Sequence, residues 1–166
     1  NWLYYMNKNA AVSTIRRRSL NDESDTLFFS RPDLSPSAWV AVSPDNKLVA
    51  FINYADRTVA EGTGGTYQII VVSTEDPSNV RDYKIPASLR YFKFSPDSSA
   101  LEYIENTATD NHIWRQDLAS RSPRKIVFSA LTEKIFHFSR SGDGKRLALA
   151  LGRQVNDAVL LSEFIN

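Results

Sequence analysis

One ten-residue pattern recurs three times along this chain, and its spacing restricts the possible folds more than any other feature. It runs Val42-Ser43-Pro44-Asp45-Asn46-Lys47-Leu48-Val49-Ala50-Phe51, then Phe94-Ser95-Pro96-Asp97-Ser98-Ser99-Ala100-Leu101-Glu102-Tyr103. A looser third copy is Arg140-Ser141-Gly142-Asp143-Gly144-Lys145-Arg146-Leu147-Ala148-Leu149. Asp45, Asp97 and Asp143 stand 52 and 46 residues apart. A second landmark keeps the same period: segments opening at Ile15, Ile69, Ile113 and Val159 are 54, 44 and 46 residues apart. Repeats of roughly 40 to 50 residues are the period of propeller blades.

Between the landmarks each unit reads as four short β segments. In the best-defined unit these are Tyr91 to Phe94, Ala100 to Glu105, His112 to Leu118 and Arg124 to Phe128, separated by Ser, Pro, Asp and Asn clusters. No segment has helical periodicity. The Ser-Pro-Asp turn follows local chemistry: Pro presets φ, Asp bonds backbone N–H groups ahead of it, and Asn or Gly accepts positive φ. The second copy, with Ser98-Ser99-Ala100, and the third, with Gly142 for Pro, depart from the pattern and should weaken the turn without changing the period. The fold class expected is all-β, a partial β-propeller of four-stranded antiparallel blades. A partial blade covers 1–33, blades cover 34–86 and 87–128, and a last blade over 129–166 lacks its outer strand. Three blades and a fragment fall short of the four or more that close a ring. Upstream blades or a second chain are therefore expected to complete it.

Charge and composition narrow the function classes. Twenty Lys and Arg against 19 Asp and Glu leave a formal net charge of +1, no field for steering onto nucleic acid or an anionic membrane. There is no cysteine, so thiolate metal sites and cysteine nucleophiles are excluded and redox conditions do not discriminate between compartments. Apolar stretches such as 69–72 and 147–151 are far shorter than the ~20 residues of a spanning helix, so no membrane insertion is expected. Trp2 to Met6 already reads as the interior of a strand, from which the chain is expected to be part of a larger fold.

The Ser-Pro-Asp-x-Lys turns, followed by Leu48-Val49-Ala50-Phe51 and Leu147-Ala148-Leu149-Ala150-Leu151, resemble the TolB-type, WD-like propeller repeats of bacteria. The match spans nearly the whole chain. Residues 112–118 through 123–126, then Phe136-His137-Phe138 and 143–149, are similar to the C-terminal propeller end of bacterial winged-helix regulators and serine/threonine kinases. The resemblance implies a sensory or interaction module with its output domain N-terminal. It leaves periplasm and cytoplasm open and leans toward periplasm.

Each candidate site has a plain structural alternative. The run Glu61-Gly62-Thr63-Gly64-Gly65-Thr66 lacks the Lys-Ser/Thr of a phosphate loop and precedes a strand, so it reads as a hairpin loop. Arg16-Arg17-Arg18-Ser19-Leu20 matches a basophilic kinase acceptor but reads better as a strand with alternating faces. His112 and His137, the only histidines, have no second metal-type ligand at recognised spacing, and Asp45, Asp97 and Asp143 are structural turn residues, each satisfying its own turn. No metal and no cofactor is expected. Gly-x-Ser-x-Gly is absent, and no catalytic residue is assigned. The middle residues of Val40-Ala41-Val42, Phe92-Lys93-Phe94 and Phe136-His137-Phe138 are treated as equivalent, which makes Lys93 and His137 candidates to face a central channel. Trp39, Trp114 and Tyr103 are expected first between blades, where large rings fill splayed sheets, and only second as ligand platforms.

These readings converge on a non-enzymatic binding or sensor propeller whose partner is a protein, a peptide or a small ligand. Two alternatives remain open: an accessory propeller of a prolyl-peptidase-like serine hydrolase, or a short chain that completes a ring by oligomerisation.

Overall fold

The computed structural model describes residues 1–8, 13–32, 34–54, 67–85, 89–107, 111–120, 122–129 and 133–153. Among them are thirteen strands, no helix and only antiparallel pairing. Sheet 1 holds β1 (Trp2–Lys8), β2 (Ser13–Ser19) and β3 (Asp25–Phe29). Sheet 2 holds β4 (Pro36–Val42), β5 (Leu48–Tyr54), β6 (Tyr67–Ser73) and β7 (Val80–Ile85). Sheet 3 holds β8 (Leu89–Phe94), β9 (Ala100–Asn106), β10 (Asn111–Asp117) and β11 (Arg124–Ser129), and sheet 4 holds β12 (Lys134–Arg140) and β13 (Leu147–Gly152). Each is a meander in sequence order. The Gly-rich run 61–66 and the repeat landmark at Val159 lie outside the described residues.

The recurring pattern forms the turn between the first two strands of sheets 2, 3 and 4, with the same hydrogen bonds each time. The hydroxyls of Ser43, Ser95 and Ser141 donate to Asp45, Asp97 and Asp143. The same hydroxyls accept from the N–H groups of Leu48, Ala100 and Arg146 at 2.9, 3.0 and 3.0 Å. Each Asp Oδ1 accepts from the N–H two residues on at 3.1 Å. Asn46, Ser98 and Gly144 take the left-handed conformation at φ 61°, 58° and 71°. The departures at Ser98 and Gly142 leave this bonding intact.

A second bond repeats one turn later. Thr74 N–H donates to Lys47 C=O, Leu118 N–H to Ser99 C=O and Leu20 N–H to Asn1 C=O, at 2.9, 2.9 and 3.0 Å. By this correspondence β1, β2 and β3 match the second, third and fourth strands of sheets 2 and 3. β4, β8 and β12 are then the innermost strands, and β4 and β12 both contact β8.

Successive sheets bury their facing sides in three apolar clusters, as splayed blades require. Between sheets 1 and 2 lie Ile15, Phe28, Phe29, Val49, Phe51 and Ile70; between 2 and 3 lie Ile52, Ile69, Phe92, Phe94, Leu101 and Tyr103. Between 3 and 4 lie Ile104, Ile113, Ile135 and Phe138. Strand alternation explains the two-sided burial: Val49 and Phe51 face sheet 1 while Ala50 and Ile52 face sheet 3. This is an all-β partial propeller.

The tryptophans divide between core and surface. Tyr103 is 1% exposed and Trp114 packs on the same cluster with its indole N–H on Glu105 at 2.7 Å. Trp39, expected between blades, is instead 48% exposed. Arg16, Arg17 and Arg18 alternate as a strand must. Arg16 pairs with Asp25 and Arg18 with Glu23, while Arg17 lies over the Trp2 ring. Ser19 is 6% exposed and accepts from the Asn21 and Asp22 N–H groups, so it serves its turn.

Candidate functional site

Aligning the inner strands on Ser43, Ser95 and Ser141 brings Trp39, Tyr91 and His137 into register, each four residues before its serine. All three strands are irregular at or just ahead of this position. Register shifts fall between Pro36 and Val40, between Leu89 and Tyr91, and between Ile135 and His137. Extra residues in a strand bend it and re-aim the next side chain, which is why bulges gather beside binding sites. Here they put three rings in line across three strands. Trp39 meets Tyr91 edge-on, with centroids 5.4 Å apart and planes at 84°, and Tyr91 meets His137 at 4.5 Å and 43°.

Tyr91 is the hinge of the row. It also stands edge-on to Phe138 at 5.7 Å, and burial against that cluster pushes its phenol pKa up. His137 and Trp39, at the two ends, are exposed. The row offers ring faces and edges anchored by one half-buried tyrosine, a surface suited to stacking and to CH or cation contacts.

Lys93 occupies a different setting from His137. The aromatic-x-aromatic match of Phe92-Lys93-Phe94 with Phe136-His137-Phe138 is two residues out of structural register, so Lys93 corresponds to Ala41 and Ser139. Its ammonium lies 4.9 Å from the Phe138 ring centroid, between sheets 3 and 4. Desolvation there lowers its pKa, Glu102 opposes that shift and Arg140 adds to it.

Lys93 borders a charge cluster that no motif announced. Glu102 is fully buried, and both its oxygens accept from Arg140 Nε at 2.8 Å. Arg115 Nη1 reaches Glu102 at 3.4 Å while its Nε donates to Asp117 at 2.8 Å. Above them a cleft of about 420 Å3 is lined by Arg115, Arg124, Arg140, Asp97 and Asp143. Opposite charges balance there, so the cluster acts first as a tie between sheets.

Asp45, Asp97 and Asp143 are each held in their own turns. Among the described residues no group of three or more His, Asp or Glu side chains is placed to hold a metal. The sequence gives Trp39 as a ligand platform only in second place and singles out neither Tyr91 nor Glu102. Counting back from the turn serines finds Trp39 and Tyr91, whereas nothing local to Glu102 predicts its burial.

No protein-family model matches the chain, and no curated protein matches it in sequence. Solved structures do match it in shape. TolB from Acinetobacter baumannii superposes with a TM-score of 0.59 at 17% identity, over 89% of this chain and 34% of that one. An acylaminoacyl peptidase gives 0.57 at 14% identity, over 92% and 28%. The periplasmic gluconolactonase PpgL from Pseudomonas aeruginosa gives 0.54 at 12% identity, over 91% and 47%. The chain thus spans less than half the length of each of these structures. Successive meander sheets, inner strands in contact, repeated Ser-x-Asp turns and these likenesses agree: the fold is that of a TolB-like β-propeller.

Proposed function

We propose that this segment is a non-catalytic binding module and that the row Trp39, Tyr91 and His137 is where it meets a protein, peptide or small ligand. The observation that carries the reading is the coincidence of three ring-bearing residues at one structural position, each within or just after a strand irregularity. Exposed rings at both ends leave contact area available, and the half-buried Tyr91 keeps the row in place at little entropic cost. Fold likeness alone does not separate this reading from enzymatic ones, because one propeller architecture carries many chemistries.

A second reading is an accessory propeller that orients substrates for a hydrolase domain, and the fold likeness to an acylaminoacyl peptidase is compatible with it. A Gly-x-Ser-x-Gly domain encoded beside these residues would select it, and a kinase or winged-helix domain would select the sensor.

The direct test selects binders to the full chain from a phage-displayed heptapeptide library and titrates them into 15N-labelled protein. Binding should perturb the Trp39 indole and the His137 ring. Trp39→Ala and His137→Ala should each weaken it about tenfold, the order of one lost ring contact, with unchanged melting temperature. Selected peptides that are indifferent to both substitutions, or hydrolysis of a lactone or aminoacyl ester by the purified chain, would remove the proposal.

A further inference from the structure

Tyr91 and Lys93 stand two residues apart on β8 and share the face turned toward sheet 4. Both meet one ring there. Phe138, fully buried, takes Tyr91 edge-on with centroids 5.7 Å apart and has the Lys93 ammonium 4.9 Å from its own centroid. One ring thus holds both the hinge of the aromatic row and a positive charge one level nearer the turn. At the matching position sheet 2 has Ala41 and sheet 4 has Ser139, so of the three inner strands β8 carries the charge. The corner is built from β8, β9 and β12 alone.

The neighbouring acids do not answer that charge. Arg140 holds both oxygens of Glu102, and Arg115 has Asp117 at 2.8 Å. Glu102 stands opposite Lys93 in register, yet the ammonium makes no ion pair with it, and among the described residues Lys93 has no hydrogen bond. A ring face attracts an ammonium but leaves most of its three N–H donors unmet. Lys93 is also half-buried, and a charge drawn partly out of water pulls harder on an anion beside it.

We infer that the ligand of the Trp39, Tyr91 and His137 row is an aromatic monoanion, whose ring lies against Tyr91 and His137 and whose carboxylate, a few ångströms away, meets Lys93. This rests on the row being the binding surface. A carboxylate fits better than a phosphate because one ammonium balances one charge, and the second charge of a phosphate would stand near Glu102. A small aromatic acid and the C-terminal aromatic residue of a peptide both carry the two groups.

The test uses two pairs of probes: hydrocinnamate with its amide, and acetyl-alanyl-phenylalanine with its C-terminal amide. Each is titrated into the full 15N-labelled chain and followed at the Trp39 indole and the His137 ring. At least one acid should bind about tenfold more tightly than its amide, the order of one charge-assisted contact, and which acid does so identifies the source. Lys93→Met should remove that preference and leave the amide's affinity unchanged, whereas Lys93→Arg should keep it. Equal affinity for acid and amide, or a loss on Lys93→Met shared by both, would overturn the inference. If the Trp39 and His137 signals still shift in that case, the row stands without it. Probes that bind and move neither ring would remove the row as well. Absence of binding by all four at millimolar concentration also overturns the inference, and the library-selected peptides then judge the row. Should Lys93→Met fail to fold, the comparison of acid with amide on the unaltered chain and on Lys93→Arg still decides.

Discussion

Ser95 donates its hydroxyl proton to Asp97 while accepting the Ala100 N–H, so a single side chain closes the turn from both ends. Because that hydroxyl, and then the Ser99 N–H, favour the charged carboxylate, the Asp97 pKa falls from 3.8 to about 2, with burial opposing the shift. A carboxylate depressed in the folded state contributes stability that is present above its unfolded pKa and is lost as pH falls through the folded one. Urea midpoints should therefore hold level down to about pH 5 and decline toward pH 2. Asp97→Asn, which keeps the acceptor oxygen and removes the titration, should flatten part of that decline. The effect should stay below about 1 kcal/mol because the Asp97 side chain is 65% exposed and water screens it. These turn residues were plain in the sequence, since Ser, Pro, Asp and a positive-φ residue act on neighbours a few positions away. The left-handed conformation of Ser98 was not: serine does not announce it, and its φ of 58° goes with a turn in which its N–H donates to Ser95 C=O at 2.9 Å.

One interface position is solved three ways along the chain. Ala50 and Val71 fill it with apolar packing, Tyr4 and Arg17 place a phenol ring and a guanidinium there, and Glu102 with Arg115 and Arg140 places buried charge there. Removing one member of a buried ion group leaves the others uncompensated, at a cost of roughly 3–5 kcal/mol. Glu102→Ala should lower stability by that order in urea unfolding, and the double change Glu102→Leu with Arg140→Met should recover much of it. No recovery would mean that the charges contribute beyond volume and mutual compensation. Elements of this kind set the limit of sequence reading. Strand positions were legible because periodicity two and turn clusters are local signals: the four segments expected in the second full unit match β8 to β11 to within two residues at each end. The register of inner strands was not, because the extra residues before Tyr91 and His137 break the alternation on which a pattern match relies. That is why Lys93 and His137 looked equivalent in the chain and stand at different levels in the fold.

Across the molecule, burial is uneven in a predictable way. Sheets 2 and 3 have apolar clusters on both faces, whereas among the described residues sheet 1 is covered on the side of sheet 2 and sheet 4 on the side of sheet 3. Amide exchange tracks the free energy of local opening. The amides of β5, β6 and β9 should exchange slowest and those of β1 and β13 fastest, by hydrogen exchange read with NMR. Uniform protection over all four sheets would show instead a single cooperative unit. Leu3 at 52% and Leu27 at 54% exposure lie on the face of sheet 1 that points away from sheet 2. The irregularity before each turn has one further effect. It detaches the side chain at that level from the in-and-out alternation serving the core, so the exposed Trp39 and His137 ends can change with little alteration in the packing behind them, while Tyr91 stays anchored. A family of such chains could thus acquire new tastes one substitution at a time while its architecture stayed still.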